Sequence, residues 1–270
     1  RVLVPQLQTF LFRRHGMAHR PETGHPEDRM MFPDFSCREN LVEEMDRPDS
    51  SEEKLFRTLD QFGPVNRGFS RYRTLLNRYV LSDLARHPSA SRRLMDLGAG
   101  GCDIGRWLIR RCRERGFPLK ITAVENDPRV ARYARIACQD YPEIEVVEFD
   151  VRSSLPLKGV DYVFANHLLH HLPDEACMEL IRKLDRAALR IYLLSDMIRS
   201  PWAYYGFRLC AALFFRNSFI LPDGLASIRR SFTLAEAGEL LRVANPGHSA
   251  TLHSLAPHRF VILGDSRKEE

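Results

Sequence analysis

The sequence predicts an α/β protein in which helices cover both faces of a mostly parallel sheet. From residue 94 onward, strand-length apolar runs alternate with segments of helical periodicity. The apolar runs are almost free of polar residues, as expected for parallel strands that are buried on both faces. A glycine-rich turn follows the first run, which is typical of a strand-to-helix connection whose backbone closely approaches a ligand.

The residues before this alternation are expected to form a tail and a helical cap. Residues 1–35 are predicted to lie outside the fold, with Met30 or Met31 as a sensible natural start. Residues 36–90 are predicted to form an N-terminal helical cap, because their apolar residues recur at helical spacing. Pro48 and Gly63-Pro64 are expected to separate the helices of this cap.

The main domain is predicted over residues 91–265. Its first five strands are expected at 94–97, 121–124, 146–149, 162–165 and 191–194. The helices between them are expected at 104–115, 128–139 and 173–188. Pro128 and Pro173 stand where a first helical residue tolerates proline.

The end of the domain is expected to add a helical element and a hairpin. The helical element covers 200–232 and contains one aromatic-rich helix over 200–220. Thr233 and Glu236 have the spacing of a capping box that opens another helix. Residues 250–255 and 259–263 could close the sheet as a hairpin, and 266–270 are expected to be a tail.

Composition and charge exclude several classes of protein. The hydrophobic share of 44% and the charged share of 28% are those of an ordinary soluble protein, and no charge-free apolar run approaches the roughly 20 residues of a membrane span. The net charge of +5 comes from arginines interleaved with acids, which favours a solvated surface over a nucleic-acid-binding stripe. The six cysteines have no zinc-binding spacing, so no metal site is predicted, and reduced thiols in the cytoplasm are expected.

The turn after the first strand is the most informative segment. It reads Asp96-Leu-Gly98-Ala99-Gly100, and a helix is expected to open near Asp103. Asp103 stands where the dinucleotide fingerprint has its third glycine, which disfavours a nicotinamide-dependent dehydrogenase. A carboxylate at Asp96 would serve a ligand that carries an ammonium group. A turn without any ligand is the alternative interpretation.

Two more acids are expected at the same edge of the sheet. Glu125 ends the second strand, where a carboxylate can accept both hydroxyls of a ribose. Asp150 ends the third strand, where it can accept a hydrogen bond from an adenine amino group. Single acids at strand ends are often helix caps, as expected for Asp127. Acids at the ends of three successive strands favour a binding site.

On these motifs the chain resembles the class I S-adenosylmethionine-dependent methyltransferases over residues 91–265. The resemblance rests on the glycine turn, on Ala-Val-Glu125, on Phe-Asp150-Val, and on the segment from Asp161 to Leu172. It implies a Rossmann-like sheet of seven strands with an antiparallel last strand, and S-adenosyl-L-methionine as the cofactor. The cofactor-binding residues that it implies are Asp96, Gly98, Ala99, Gly100, Glu125, Asn126, Asp150, Val151 and Asn166. Cys102 departs from the family, which commonly has a third glycine there, and its side chain could crowd the methionine end of the cofactor.

Three other segments resemble a bacterial subgroup that acts on small molecules of aromatic polyketide and phenolic-lipid metabolism. They are Asn66-Arg67, Ser195–Arg199 and Asp223–Thr233. The resemblance implies methyl transfer to an oxygen of an aromatic or apolar acceptor in secondary metabolism, with no nucleic-acid partner. Methyl transfer to carbon or nitrogen, including an RNA-directed reaction, and a non-catalytic binding protein remain alternatives.

The candidate catalytic and acceptor-binding residues follow the fourth and fifth strands. His170 and His171 are the candidate bases for a phenolic acceptor, although paired histidines often pack structurally. Asp196 and Arg199 could orient an acceptor or form an ion pair. Tyr204 and Tyr205 are expected to line the acceptor pocket, in a segment that could also contact a membrane surface. No oligomeric state follows from the sequence.

Overall fold

A computed structural model describes residues 33–153, 155–187, 189–247 and 250–269. Its centre is a seven-stranded sheet in the order β3-β2-β1-β4-β5-β7-β6. The first five strands are parallel to one another, whereas β7 pairs antiparallel with both β5 and β6. The predicted fold class is confirmed, including the hairpin and the antiparallel last strand.

The strands lie close to the apolar runs that predicted them. Their bounds are β1 Arg92–Leu97, β2 Leu119–Glu125, β3 Ile144–Glu148, β4 Tyr162–Asn166, β5 Ile191–Met197, β6 Thr251–Leu255 and β7 Arg259–Asp265. Every residue of β4 and of β7 is buried, as expected for strands covered on both faces. Strand β3 ends at Glu148, so Asp150 lies two residues beyond the strand that it was predicted to end.

The helices cover both faces of this sheet. The three short helices between α1 and β1 are α2 Tyr72–Leu75, a π-helix Leu76–Leu81 and α3 Ser82–Arg86. The longer helices are α1 Glu52–Phe69, α4 Asp103–Arg115, α5 Pro128–Ala137, α6 Asp174–Arg186, α7 Pro201–Phe214, α8 Ile220–Arg230 and α9 Leu234–Ala244. Two large apolar clusters lie on the opposite faces of the sheet.

Helix boundaries follow local signals in two cases. The capping box of α9 is present, since Thr233 accepts from the Glu236 N–H and Glu236 accepts from the Thr233 N–H. Pro128 is the first residue of α5, as predicted. Pro173, by contrast, is the residue before α6 and has extended backbone dihedrals.

The predicted cap differs from the structure in two places. Residues 36–51 form an extended segment with one short 3₁₀ helix, Glu44–Asp46, because their backbone is held by side chains of other elements rather than by helical bonds. Pro64 lies inside α1 and does not end it; the helix gives up one backbone bond there. Phe35, which was predicted to belong to the tail, contacts the ring of Tyr204.

The aromatic-rich helix predicted over 200–220 is two helices. Helix α7 ends at Phe214, and Phe219 caps the start of α8. The two helices pack so closely that a Cβ atom at Gly224 would lie 2.2 Å from the Phe207 ring, so glycine is required there. The C-terminal residues predicted as a tail include Arg267, whose guanidinium bonds to Asp265.

None of the helices within the described ranges is both long and apolar enough to cross a bilayer. Residues 1–32 lie outside the described residues, and so do Met30 and Met31. All six cysteines have free thiols.

Candidate active site

A cavity of about 1060 Å³ lies over the carboxyl ends of the central strands, beneath the cap and helices α7 and α8. Its volume is at the upper end of the range of small-molecule and cofactor pockets. All of the predicted cofactor-binding residues line it: Asp96, Gly98, Ala99, Gly100, Glu125, Asn126, Asp150, Val151 and Asn166. The carboxyl edge of a parallel sheet is where open α/β folds bind ligands.

The glycine turn forms one wall of this cavity. Gly98 and Gly100 have φ angles of +68° and +54°, which favour glycine because the left-handed region is strained for other residues. A Cβ atom at Gly98 would lie 3.3 Å from the Leu168 side chain. The turn therefore needs glycine to keep its backbone against the cavity.

Cys102 does not crowd the cavity as its departure from the family motif suggested. Its φ angle of +56° places it in the left-handed region, where the family commonly has glycine. Its side chain is 1% exposed and packs into the apolar cluster under α4 and α5. It is absent from the cavity lining because the turn directs its Cβ into the core.

Three carboxyl groups lie close together beside the glycine turn. Burial, together with repulsion from Asp103 and Glu125, raises the pKa of Asp96 to about 8. Burial also raises the pKa values of Asp103 and Glu125. A cationic group in the cavity would relieve this repulsion, so the donor set fits the ammonium and sulfonium charges of S-adenosylmethionine.

Glu125 is already engaged by backbone donors. Its Oε2 accepts from the Gly100 N–H at 3.0 Å, and its Oε1 accepts from the N–H groups of Asn126 and Asp127. A carboxylate has about four lone-pair positions, so at least one remains for a ribose hydroxyl. Asp127 also caps α5 through the Arg129 N–H, as predicted.

Asp150 lines the cavity, but its carboxylate is paired with Arg152. Both oxygens accept from the Arg152 guanidinium at 2.6–3.0 Å, and one also accepts from the Arg152 N–H. This pairing lowers the pKa of Asp150. An adenine amino group at Asp150 would therefore share an acceptor that Arg152 already uses, and this role stays a prediction.

Asn166 joins the sheet edge to the cap. Its amide nitrogen donates to Oδ1 of Asn66, and the Asn66 amide donates to the carboxylate of Asp103. Its own oxygen accepts from the Arg259 guanidinium at 2.7 Å. These contacts explain the chemistry of the Asn66-Arg67 motif, because Asn66 links helix α1 to both the glycine turn and strand β4.

Arg259, at the start of β7, is a cavity-lining cation that sequence reasoning missed. It is 2% exposed and donates to Asn166, to Ser195 Oγ and to Nε2 of His167. Among the described residues, its Nε has no hydrogen-bond partner. Burial lowers the pKa of Arg259 to about 10, so the guanidinium is charged at neutral pH.

His170 is buried between two carboxylates. Its Nδ1 lies 2.9 Å from Asp196, and its Nε2 lies 3.5 Å from Glu43. Burial lowers the pKa of His170, but Asp196 and Glu43 outweigh that effect and raise it to about 9. A raised pKa favours the protonated ring at neutral pH, which does not favour the predicted role of His170 as a base, and this role stays a prediction.

His171 is the more accessible of the two predicted bases. Its side chain is 30% exposed and lines the cavity, with Nδ1 3.5 Å from Asp46 and Nε2 3.8 Å from Glu43. Burial by itself would raise the pKa of Glu43, but the nearby His171 and His170 outweigh that effect and lower this pKa to about 2. Glu43 lies in the extended segment before α1, which carries no motif that would have marked it.

Four residues predicted to orient or contain an acceptor lie outside the cavity wall. Asp196 is fully buried beneath His170, and Arg199 bonds to Ser231 O, to Phe35 O and to Glu236, which anchors α9. Tyr204 and Tyr205 lie on the sides of α7 that turn away from the cavity. The cavity face of α7 instead carries Trp202, Ala203, Gly206, Phe207 and Cys210. The sequence located this helix, but it did not show which of its faces lines the cavity.

Comparison with known proteins supports the predicted resemblance. Residues 94–189, a little more than a third of the chain, match the family model described as a methyltransferase domain. The family match and the seven-stranded fold confirm the predicted resemblance, and S-adenosylmethionine is the cofactor of this family.

Relatives of the methyltransferase domain cover different shares of the chain. The trans-aconitate 2-methyltransferase of Azoarcus sp. (strain BH72) is 32% identical over 114 residues, which are 42% of this chain and 40% of that protein. The chain thus spans well under half the length of this curated relative.

Solved structures support the fold. A SAM-dependent methyltransferase from Aquifex aeolicus aligns with a TM-score of 0.54 at 14% identity, over 77% of this chain and 97% of its own. Human N-acetylserotonin methyltransferase, in complex with SAM, aligns with a TM-score of 0.51 at 19% identity, over 80% of this chain and 56% of its own. At these identities the likeness concerns the fold.

Proposed function

We propose that the protein transfers a methyl group from S-adenosylmethionine to an oxygen of a small aromatic or apolar acceptor. The observation that carries this proposal is the set of buried carboxylates beside a positive-φ glycine turn, within a cavity large enough for a cofactor and an acceptor. The family of the domain supports the cofactor. The charge of Arg259 is the argument for an oxygen acceptor, and the apolar side chains of α7 are the argument for an aromatic or apolar one.

The chain's own residues divide into two groups along the cavity. Asp96, Asp103 and Glu125 supply negative charge at the glycine turn, where we place the cofactor. When bound, the cofactor supplies an activated sulfonium methyl group, so that the reaction needs mainly an acceptor oxygen aligned about 3 Å from the methyl carbon. Arg259 places a positive charge beside the acceptor oxygen while the acceptor hydroxyl loses its proton. His171 is the remaining candidate base for that proton.

A direct test combines cofactor binding with product analysis. Calorimetry with S-adenosylmethionine is expected to show one site per chain, and a panel of phenols is expected to give S-adenosylhomocysteine and O-methyl products. Methylated carbon, nitrogen or RNA would contradict the oxygen acceptor. Absence of binding at millimolar cofactor would favour the non-catalytic alternative.

Glu125→Ala is expected to weaken S-adenosylmethionine binding by about 1–3 kcal/mol, because the variant removes a carboxylate that the bound ribose would use. The measurement is calorimetry at constant pH. Glu145→Ala is the matched control, since Glu145 is exposed on the neighbouring strand β3. Equal affinities for the two variants would contradict the ribose role of Glu125.

We also propose that the exposed apolar side chains of α7 contact an anionic membrane surface. Trp202 and Phe214 are 79% and 75% exposed, and Leu209 and Leu213 are also exposed. The exposed Arg208 and Arg216 are the charged residues between 201 and 222, a segment that contains no acid. Trp202 also lines the cavity, so an apolar acceptor could enter from the lipid.

The variant Leu209→Ser/Phe214→Ser is expected to bind phosphatidylglycerol vesicles at least about 10-fold more weakly, because two large apolar side chains no longer enter the lipid. The measurement is vesicle co-sedimentation, with neutral vesicles as the second arm. Ile136→Ser is the matched control, because Ile136 is equally exposed on α5. If the protein dimerises through α7 and ignores vesicles, the lipid proposal is wrong.

A further inference from the structure

Three metal-ligating side chains converge in one part of the cavity. One ligand atom each from Glu43, His170 and His171 lies within 4.8 Å of the others. Nε2 of His170 and Nε2 of His171 lie 3.5 Å and 3.8 Å from the same Glu43 oxygen. Ligand atoms around a tetrahedral zinc ion are about 3.3 Å apart, so shifts below about 1 Å would bring these atoms to bonding distance.

A second carboxylate stands behind each imidazole. Nδ1 of His170 lies 2.9 Å from Asp196, and Nδ1 of His171 lies 3.5 Å from Asp46. This arrangement leaves Nε2 of each ring directed toward Glu43. Histidines that bind metals usually donate their other ring N–H to a carboxylate, which fixes the ring orientation and the tautomer.

The surroundings of the three side chains suit a cation. Glu43, Asp46 and Asp196 place three acids around the two rings, and the guanidinium of Arg230 lies 3.4 Å from the same Glu43 oxygen. Ser227 donates to Glu43 at 2.8 Å and holds its side chain in place. Glu43, His170 and His171 all line the cavity, so an ion can enter from it.

We propose that Glu43, His170 and His171 bind a divalent transition-metal ion of the zinc class. Two imidazole nitrogens and one carboxylate oxygen form the donor set of many catalytic zinc sites, in which a further position stays open. Sequence spacing could not show this site, because Glu43 lies more than 120 residues from the two histidines.

The open position of the ion would face the same cavity as Arg259. The ion would lower the pKa of an acceptor hydroxyl bound there, so that this hydroxyl would release its proton to water and His171 would not be needed as the base. This role rests on the proposed methyl transfer, whereas metal binding itself does not. The binding test therefore uses neither cofactor nor acceptor.

The first experiment adds Zn²⁺, Co²⁺ or Mg²⁺ to the full chain after chelator treatment and dialysis. We expect one Zn²⁺ at the site by competition with a chromophoric chelator, and visible d–d absorption when Co²⁺ is bound. Mg²⁺ is expected not to bind, because it prefers an all-oxygen donor set. Absence of Zn²⁺ binding, or a Co²⁺ spectrum of the hydrated ion only, would overturn the proposal.

The second experiment assigns the ligands. Glu43→Gln and His171→Ala are each expected to weaken Zn²⁺ binding at least 10-fold, and Asp46→Asn by about 10- to 100-fold as the partner of a ligand. His253→Ala is the matched control, because His253 is exposed on β6. Circular dichroism checks folding, and Asp46→Asn keeps the test valid if a ligand variant does not fold. Equal Zn²⁺ affinities in the folded variants and the control would overturn the assignment.

Discussion

Asp96→Asn is expected to weaken S-adenosylmethionine binding by about 1.5–3 kcal/mol, which is roughly 10- to 150-fold. This is the usual contribution of a hydrogen bond to a charged group, and the amide cannot supply the negative charge that the cofactor's ammonium group needs. The loss is expected in binding measured by calorimetry and in turnover at low cofactor concentration.

The same variant is expected to change the pH dependence of cofactor binding. Because the pKa of Asp96 is raised to about 8, its carboxyl group is largely protonated at pH 6 in the free protein. Cofactor affinity of the wild type should therefore rise up to about 10-fold per pH unit between pH 6 and 8 and level off above. Asp96→Asn should show a much flatter profile.

The stability of the free protein should change in the opposite direction. A folded-state pKa raised above the ordinary value means that ionisation of Asp96 costs stability as the pH rises from about 4 to 8. Asp96→Asn removes that cost, so its melting temperature relative to the wild type should be higher at pH 8.5 than at pH 5. Asp140→Asn, at an exposed position, is the control. A variant that binds cofactor normally, or gains no stability at high pH, would contradict the role of Asp96.

The cavity lining at the ends of β1, β2 and β3 could be predicted because its residues belong to local motifs, and their cofactor-binding roles stay predictions. The glycine turn, Glu125 and Asp150 each follow an apolar run, and parallel strands bring their carboxyl ends to one edge. No long-range contact had to be known. Alternation of strands and helices was sufficient to place these residues along one cavity.

The path of the segment before α1 could not be predicted for a physical reason. Asp223 accepts from the N–H groups of Glu44 and Met45, and Arg129 donates to the carbonyl of Met45. These partners are 84 to 179 residues apart in sequence. Apolar spacing at Leu41 and Met45 suggested a longer helix, but these tertiary bonds hold only the short 3₁₀ helix Glu44–Asp46 in place.

The acceptor side was predicted poorly for a related reason. Aromatic content located α7 correctly, but the cavity face of a helix depends on how the helix packs, so Tyr204 and Tyr205 were chosen where Trp202 and Phe207 line the wall. Arg259 opens a strand, a position where an arginine is usually solvated. Only the pairing of β7 with β5 brings it beside Asn166 and Ser195.

Arg259→Met is expected to lower kcat/KM for a phenolic acceptor by about 100- to 1000-fold, the usual effect of losing one preorganised donor to a developing oxyanion. The wild-type guanidinium is buried, charged and lines the cavity, and its Nε has no partner within the part of the chain that the structure describes. An anionic acceptor oxygen would satisfy both the charge and the free donor.

Arg259→Met is expected to affect the reaction with the acceptor and not the binding of the cofactor. Because Arg259 lies on the acceptor side, Arg259→Met should bind S-adenosylmethionine nearly as tightly as the wild type, and its rate should recover partly at high pH, where the phenol ionises without help. Arg259→Lys should retain part of the activity, since it keeps the charge but not the fork of donors. Arg113→Met, at an exposed position, is the matched control.

Arg259→Met removes the donor of the buried Asn166 oxygen, so a loss of folding stability of about 1–3 kcal/mol is expected. Urea unfolding checks this point before kinetics are compared. A loss of cofactor affinity as large as the loss of kcat/KM would place Arg259 at the cofactor's carboxylate instead. Unchanged kcat/KM would contradict the oxygen acceptor, because the proposal of oxygen over carbon or nitrogen depends on the charge of Arg259. Among the described residues, no other cavity-lining cation bonds to Asn166 at the end of β4.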